Sequence, residues 1–309
     1  MPTSEQLFQT IPCPLCGSSE FKVRRKSQYP ASINREQLKQ IFRASSDHIL
    51  MDQVVQCRSC DLVYVNPRLH PDVILEGYAE AEDPVFAAQN ESRVVAFRKT
   101  LGKIVKRLGT PAPGSRLLDV GCAGGAFLVA ARDAGYDVVG VEPSHWMAAF
   151  GRRTYGLDIR DKILTEGMFP EHSFDVITLW DVIEHLPDPR ATLELIRSLL
   201  KPGGYLFVNY PDIGSFAARL LGKRWPFWLS VHLLYYTPKT IAVQLEKAGF
   251  TMLWRQPFWP VLPLGYVARR AAPYSPALAP VPKLVGLLKL DELPLTYNIG
   301  QTLVVSRVR

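Results

Sequence analysis

No stretch of this 309-residue chain holds the roughly 18 to 20 consecutive apolar residues needed to cross a bilayer; runs such as residues 257 to 268 fall short. Also missing is a secretory leader with a basic start, an apolar core and a small-residue cleavage site, since MPTSEQLFQTIPCP is polar and broken by proline. The expectation is a cytoplasmic protein, with or without peripheral contact to the inner face of a membrane. Bulk disorder is excluded by a composition that is 47% hydrophobic and 21% charged, with a mean hydropathy of +0.01. The length accommodates one substantial core plus an appendage.

Cysteine is scarce, with five in the chain, and four of them fall in two pairs, Cys13-Pro-Leu-Cys16 and Cys57-Arg-Ser-Cys60. In a reducing cytoplasm such pairs are read as metal ligands before disulfides. Two residues between thiolates let one tight turn aim both sulfurs at one ion, and two such turns complete a tetrahedral four-thiolate site. Cys13, Cys16, Cys57 and Cys60 are therefore expected to hold a structural Zn2+ with no open position for catalysis. The spacer between the pairs is long for a minimal ribbon, which implies an inserted helix or hairpin.

The net charge is +7. Residues 22 to 43 hold Lys22, Arg24, Arg25, Lys26, Arg35, Lys39 and Arg43 against Glu36 alone, and residues 93 to 107 hold six cations and no acid. Such clusters suit nucleic acid, anionic lipid or a phosphorylated substrate, or are simply solvated helix faces.

From about 71 to 109 the apolar residues recur at helical spacing, until Gly109-Thr-Pro-Ala-Pro-Gly114 breaks the pattern. Strand and helix signals alternate after that, predicting a parallel, doubly wound sheet. The expected organisation is a zinc-ribbon-like module over residues 1–70, a helical connection over 71–110, and an α/β domain over 111–309 with insertions at 213–236 and 257–296. No internal repeat is evident.

Residues 117–127, LLDVGCAGGAF, run an apolar strand into a turn of small residues and then a helix, which lets backbone and a helix N-terminus approach a ligand. Glu142 ends the next strand 23 residues after Asp119, where its carboxylate can accept hydrogen bonds from ribose hydroxyls. A nicotinamide-dinucleotide turn counted from Gly121 would want glycine at positions 123 and 126, and both are alanine.

Together, LLDVGCAGGAF, VVGVEPS, FDVITLWDVIEHLPDP and LLKPGGYLFVNYPD resemble the successive motifs of class I S-adenosylmethionine-dependent methyltransferases, over roughly residues 90 to 309. The resemblance implies a Rossmann-like sheet of seven strands with the last one antiparallel. It implies that Asp119 and Gly121, with Cys122, Ala123 and Gly124 in the same turn, line the methionine part of the cofactor. Glu142 and Pro143 would hold the ribose, Asp161 to Leu164, Ile163 among them, would supply the adenine contacts, and Asp181 would stand at the end of the fourth strand. Ala123 departs from the pattern, since many members have glycine there. The order of zinc module, core and the segment Thr237 to Phe250 is similar to methyltransferases of bacterial surface polysaccharide and secondary metabolism.

Methyl transfer from a sulfonium needs in-line alignment and, for a hydroxyl acceptor, removal of one proton. His232 and His185 are the candidate bases, His232 the preferred one because it follows the fifth strand and an insertion, where acceptor loops belong; the alternative for His232 is a histidine that anchors its loop through backbone hydrogen bonds. Asp181, Glu184 and His185 resemble in spacing the E-x-x-E-H segment of quinone-biosynthesis O-methyltransferases, whose side chains are associated with Mg2+, although the first acid is here the shorter aspartate; the same E-H-L pair is common in metal-free methyltransferases, where it braces the loop after strand four. On a helix these three would share a face.

Residues 213–236 combine aromatic bulk with Arg219, Lys223 and Arg224, and residues 257–296 hold eight prolines and long apolar stretches; both are expected to form the acceptor pocket, favouring a small-molecule, lipid-linked or glycan substrate presented near a membrane, or else to pack as a lid with no membrane role. Two other readings stay open: an RNA methyltransferase gripping nucleic acid with the zinc module and basic patches, and a non-catalytic scaffold that keeps the fold.

Overall fold

A computed structural model describes residues 7–30, 32–41, 49–80, 82–272 and 275–309; Arg43 of the first basic cluster lies outside them. The main sheet is built from seven strands: β1 (Arg116–Val120), β2 (Asp137–Val141), β3 (Ile159–Arg160), β4 (Phe174–Trp180), β5 (Leu200–Pro211), β6 (Phe250–Pro257) and β7 (Gln301–Val308). Their order across the sheet is β6, β7, β5, β4, β1, β2, β3. β7 runs antiparallel to both neighbours, and the β5, β4, β1, β2, β3 ladder is parallel. This is the Rossmann-like sheet with an antiparallel last strand.

Alternation in the strands explains the two layers of core. Leu117 points into a cluster with Val94, Leu101, Ile104, Phe127 and Leu128, whose residues come from helices Asn90–Leu108 and Ala126–Asp133. Leu118 and Val120 point the other way, toward Leu193, Ile196, Ile241 and Leu245 of helices Pro189–Leu199 and Pro238–Lys247. A sheet buried on both faces must be apolar at successive positions, and RLLDV and FDVITLW have that pattern. Parallel strands leave their C-terminal edge open to the loops, which is where ligands bind in such folds.

Before the sheet stand helices Pro71–Ala79, Pro84–Ala87 and Asn90–Leu108. The spacer between the cysteine pairs holds strand Phe21–Arg25 and helix Arg35–Ile41. The N-terminal segment forms a separate sheet, Phe21–Arg25 beside Val54–Cys57 beside Val63–Val65. Its fourth strand comes from far along the chain: Leu234–Tyr235 pairs antiparallel with Val63–Val65. The 213–236 segment is thus bound into the N-terminal sheet.

Candidate active site

The turn after β1 is shaped by backbone strain and close approach. Gly121 has φ +71°, and a Cβ there would lie 2.6 Å from Val182 Cγ2, so glycine is needed on both counts. Ala123 sits at φ +46°, a left-handed conformation costing an L residue about 1–2 kcal/mol. The turn holds it there: the Ala123 N–H donates to Glu142 Oε2 at 2.8 Å, and Asn90 Nδ2 donates to Gly124 O at 2.9 Å. Glu142 Oε1 accepts from Ser144 N at 2.9 Å. Each carboxylate oxygen retains a lone pair for a ligand hydroxyl. Burial pushes Glu142 up to about 7 against the pull of these two N–H groups. Asp119 rises to about 8, through burial first and with the nearby Glu142 charge adding to it, although Thr178 Oγ1 donates to it at 2.6 Å.

One cavity of about 950 Å³ opens over this edge of the sheet. Asp119, Gly121, Cys122, Ala123, Gly124, Glu142, Pro143, Ile163 and Asp181 all line it, as do His185 and His232. The fold thus gathers these cofactor and base candidates into one space, Asp161 excepted. Within the adenine segment, Ile163 is 45% exposed and faces the cavity with Lys162 and Leu164. Asp161 instead pairs with Arg152 and His145.

Across the cavity stands Glu184, 1% exposed, with neither carboxylate oxygen hydrogen-bonded. Burial and the charge of Asp181 raise it far above the carboxylate range. His185 and His232 lie beside it, their ring centroids 4.8 Å apart. His185 Nδ1 is 2.9 Å from Val231 O and 2.7 Å from Tyr78 Oη, and His232 Nδ1 is 2.9 Å from Phe227 O. A carbonyl can only accept, so these contacts assign the proton to Nδ1 in both rings and leave each Nε2 a bare lone pair. Burial holds both histidines neutral, His185 lowered to about 4 and His232 lowered strongly.

The structure corrects the magnesium geometry expected from Asp181, Glu184 and His185. Ile183–His185 is a single 3-10 turn, and Asp181 precedes it at φ +54°. The Asp181 carboxylate turns to Asn209 Nδ2 at 2.7 Å and Gln301 Nε2 at 3.2 Å. No shared helix face exists, because Asp181 stands in the left-handed region and Pro187 and Pro189 follow. The group whose ligand atoms come within 4.8 Å of one another is Glu184, His185 and His232.

Cys13, Cys16, Cys57 and Cys60, none of which lines the cavity, bring their sulfurs within 4.8 Å of one another. The Cys13–Cys60 and Cys16–Cys57 separations are 3.5 Å. Four sulfurs about 2.3 Å from one ion lie about 3.8 Å apart, so the cluster fits a tetrahedral Zn2+.

Sequence reasoning missed three residues. Tyr78 reaches His185 from helix Pro71–Ala79, Asn90 braces the turn, and Arg93 lines the cavity with its guanidinium over Phe86 at 3.9 Å. Arg93 was counted within the second basic cluster. That cluster is partly internal, since Arg98 also bonds Asp133 and Arg107 covers Trp254.

A family described as "Methyltransferase domain" matches residues 94–254. The ubiquinone biosynthesis O-methyltransferase of Bordetella avium (strain 197N) is 31% identical over 159 residues, covering 47% of this chain and 66% of that protein. Its namesake from Xylella fastidiosa (strain 9a5c) is 35% identical over 165 residues, covering 48% and 65%. The chain thus spans just under two thirds of the length of these relatives. Among solved structures, a candidate methyltransferase of Bacillus halodurans C-125 aligns with TM-score 0.50 and 16% identity over 68% of this chain and 98% of that one, a likeness of fold.

Proposed function

The chain belongs to the methyltransferase-domain family, and from that premise we propose that it transfers a methyl group from S-adenosylmethionine to a hydroxyl of an apolar acceptor. The observation that carries this reading is the meeting, in one cavity, of the strained turn with its buried Glu142 and two neutral imidazoles whose Nε2 atoms are bare. Glu142 accepts from the ribose hydroxyls, the turn from Gly121 to Gly124 admits the methionyl portion, and Arg93 is placed to meet its carboxylate. The sulfonium is already an activated leaving group. As the acceptor oxygen bonds the methyl carbon, the carbon–sulfur bond breaks with its electron pair going to sulfur. The hydroxyl proton passes to a histidine Nε2, leaving S-adenosylhomocysteine, a methyl ether and an imidazolium.

His185 takes the base role in this reading ahead of His232, since its side chain is 16% exposed whereas His232 is 4% exposed. Buried Glu184 lies beside it, Oε1 4.0 Å from His185 Nε2, and is held in its neutral form by burial and by the Asp181 charge. The four cysteines would hold Zn2+, which supplies a closed structural crosslink and no chemistry at the acceptor.

The acceptor is read as small and apolar or lipid-linked. Of seventeen large hydrophobic residues exposed among the described residues, ten lie in 213–236 or 257–296, among them Phe216 at 80% and Leu287 at 80%. These segments carry Arg219, Lys223, Arg224, Arg269, Arg270, Lys283 and Lys289 against Asp291 and Glu292, a composition suited to an anionic lipid surface. Among the described residues, no helix is long and apolar enough to cross a membrane. The test is incubation with methyl-labelled donor and phenolic, lipid-linked or glycan acceptors. Label in an ether bond is expected; label in RNA, or in none of the acceptors, would overturn the reading.

A further inference from the structure

We propose that the four-cysteine module is a positioning device for the acceptor wall: through a shared sheet it sets the orientation of the His185 and His232 rings. This rests on the catalytic reading above and adds a role for residues 7–70 within it.

The connection is short and made of hydrogen bonds. Cys60 stands three residues before strand Val63–Val65, which pairs with Leu234–Tyr235, two residues beyond His232. Val65 N donates to Leu233 O at 2.9 Å, and Leu233 N donates to Glu184 O at 2.8 Å. Leu233 thereby joins the N-terminal sheet to the Glu184 turn. Leu50 N donates to Trp228 O at 2.9 Å and Met51 N to Ser230 Oγ at 3.1 Å, with a β-bridge from Ile49 to Leu229. The segment from Phe227 to Tyr235 therefore has the module along one side and the Glu184–Pro187 turn along the other. That segment supplies the carbonyls of Phe227 and Val231, which fix the two Nδ1–H tautomers.

Arg68 is the second strut. Nearly buried at 9% exposure, its Nη1 donates to Pro187 O at 2.7 Å, two residues from His185. The cofactor turn takes its braces from elsewhere: Asn90 holds Gly124, and Ser144 N and Ala123 N hold Glu142. Loosening the module should therefore disturb the histidines and spare the donor site. A shift of about 1 Å in a base costs on the order of 100-fold in rate.

The test uses the full chain, zinc-loaded, as wild type, Arg68→Gln and Arg68→Lys, and the wild type after zinc removal by chelation. Arg68→Gln is expected to lower kcat at least tenfold while affinity for S-adenosylhomocysteine stays within twofold, with partial recovery in Arg68→Lys. Nitrogen NMR of the imidazoles should show the Nδ1–H form in the wild type giving way to mixed tautomers in Arg68→Gln and in the zinc-free protein. This second readout needs no turnover, so it decides the proposal even if the acceptor chemistry is other than read here. Unchanged tautomers and kcat in Arg68→Gln, or a fall in donor affinity matching the fall in kcat, would overturn it. If zinc removal unfolds the chain, the zinc-loaded Arg68 variants give the answer.

Discussion

The two halves of the cavity are built on different plans. The donor half is local: Asp119, Gly121, Ala123 and Gly124 lie within six residues, and Glu142 directly follows the adjacent strand. The half proposed for the acceptor is assembled from Tyr78, Glu184 with His185, and His232, brought together only by tertiary packing and by the strand that 213–236 lends to the N-terminal sheet. A local site can tolerate change elsewhere in the molecule. An assembled one depends on every segment that holds it.

That contrast breaks most sharply at His185. The His185→Ala variant is expected to lose about 100-fold to 10,000-fold in turnover while binding S-adenosylhomocysteine as the wild type does, checked by calorimetry beside the labelled-methyl assay. Equal loss of donor binding would merge the two halves into one.

Proton linkage sharpens the donor half. In the proposed donor site ribose hydroxyls would donate to an ionised Glu142, and burial places that carboxyl at about 7. Affinity for S-adenosylhomocysteine should fall as pH drops below 7, approaching tenfold per unit, because the protonated acid loses acceptor capacity. In the empty protein the sign reverses for stability. The folded value lies above the ordinary 4.5, so the unfolded chain releases its proton first, and this residue's contribution to stability declines between about 4.5 and 7. Titrations and urea midpoints from pH 5.5 to 8.5 would check both directions.

The smallest expected effect concerns the rim. Leu284, Leu287 and Leu288 are 54%, 80% and 56% exposed, and Leu284 and Leu287 belong to the helix Val281–Leu287. Replacing Leu287 and Leu288 by glutamate should reduce flotation with anionic liposomes several-fold, as buried apolar area and charge attraction are both lost. Flotation unchanged by the pair, or absent in the wild type, would detach the acceptor half from the membrane.

Legibility in the sequence followed the same division. The sheet order's parallel core, the strained turn and Glu142 were readable because period, glycine spacing and strand length are local signals. Ala123 departs from the glycine pattern, and the structure shows a left-handed turn that keeps its N–H on Glu142. His185 and His232 were recognisable by residue type, but their tautomers depend on carbonyls 46 and 5 residues away in the chain. Tyr78 could not be read at all, since one tyrosine in a helix gives no hint of a partner 107 residues later. The helical face expected for Asp181, Glu184 and His185 failed because spacing alone does not reveal a left-handed residue at its start. The strand Leu234–Tyr235 is two residues long inside an aromatic run, too short for any alternation to show.

The most direct measurement is calorimetric titration of the purified chain with S-adenosylhomocysteine, beside Glu142→Ala. Micromolar binding in the wild type, weakened at least 100-fold in the variant while both unfold at similar urea concentrations, is the predicted result. A folded wild-type protein that binds no S-adenosylhomocysteine, or a variant that binds it equally well, would contradict the donor site at the centre of this account.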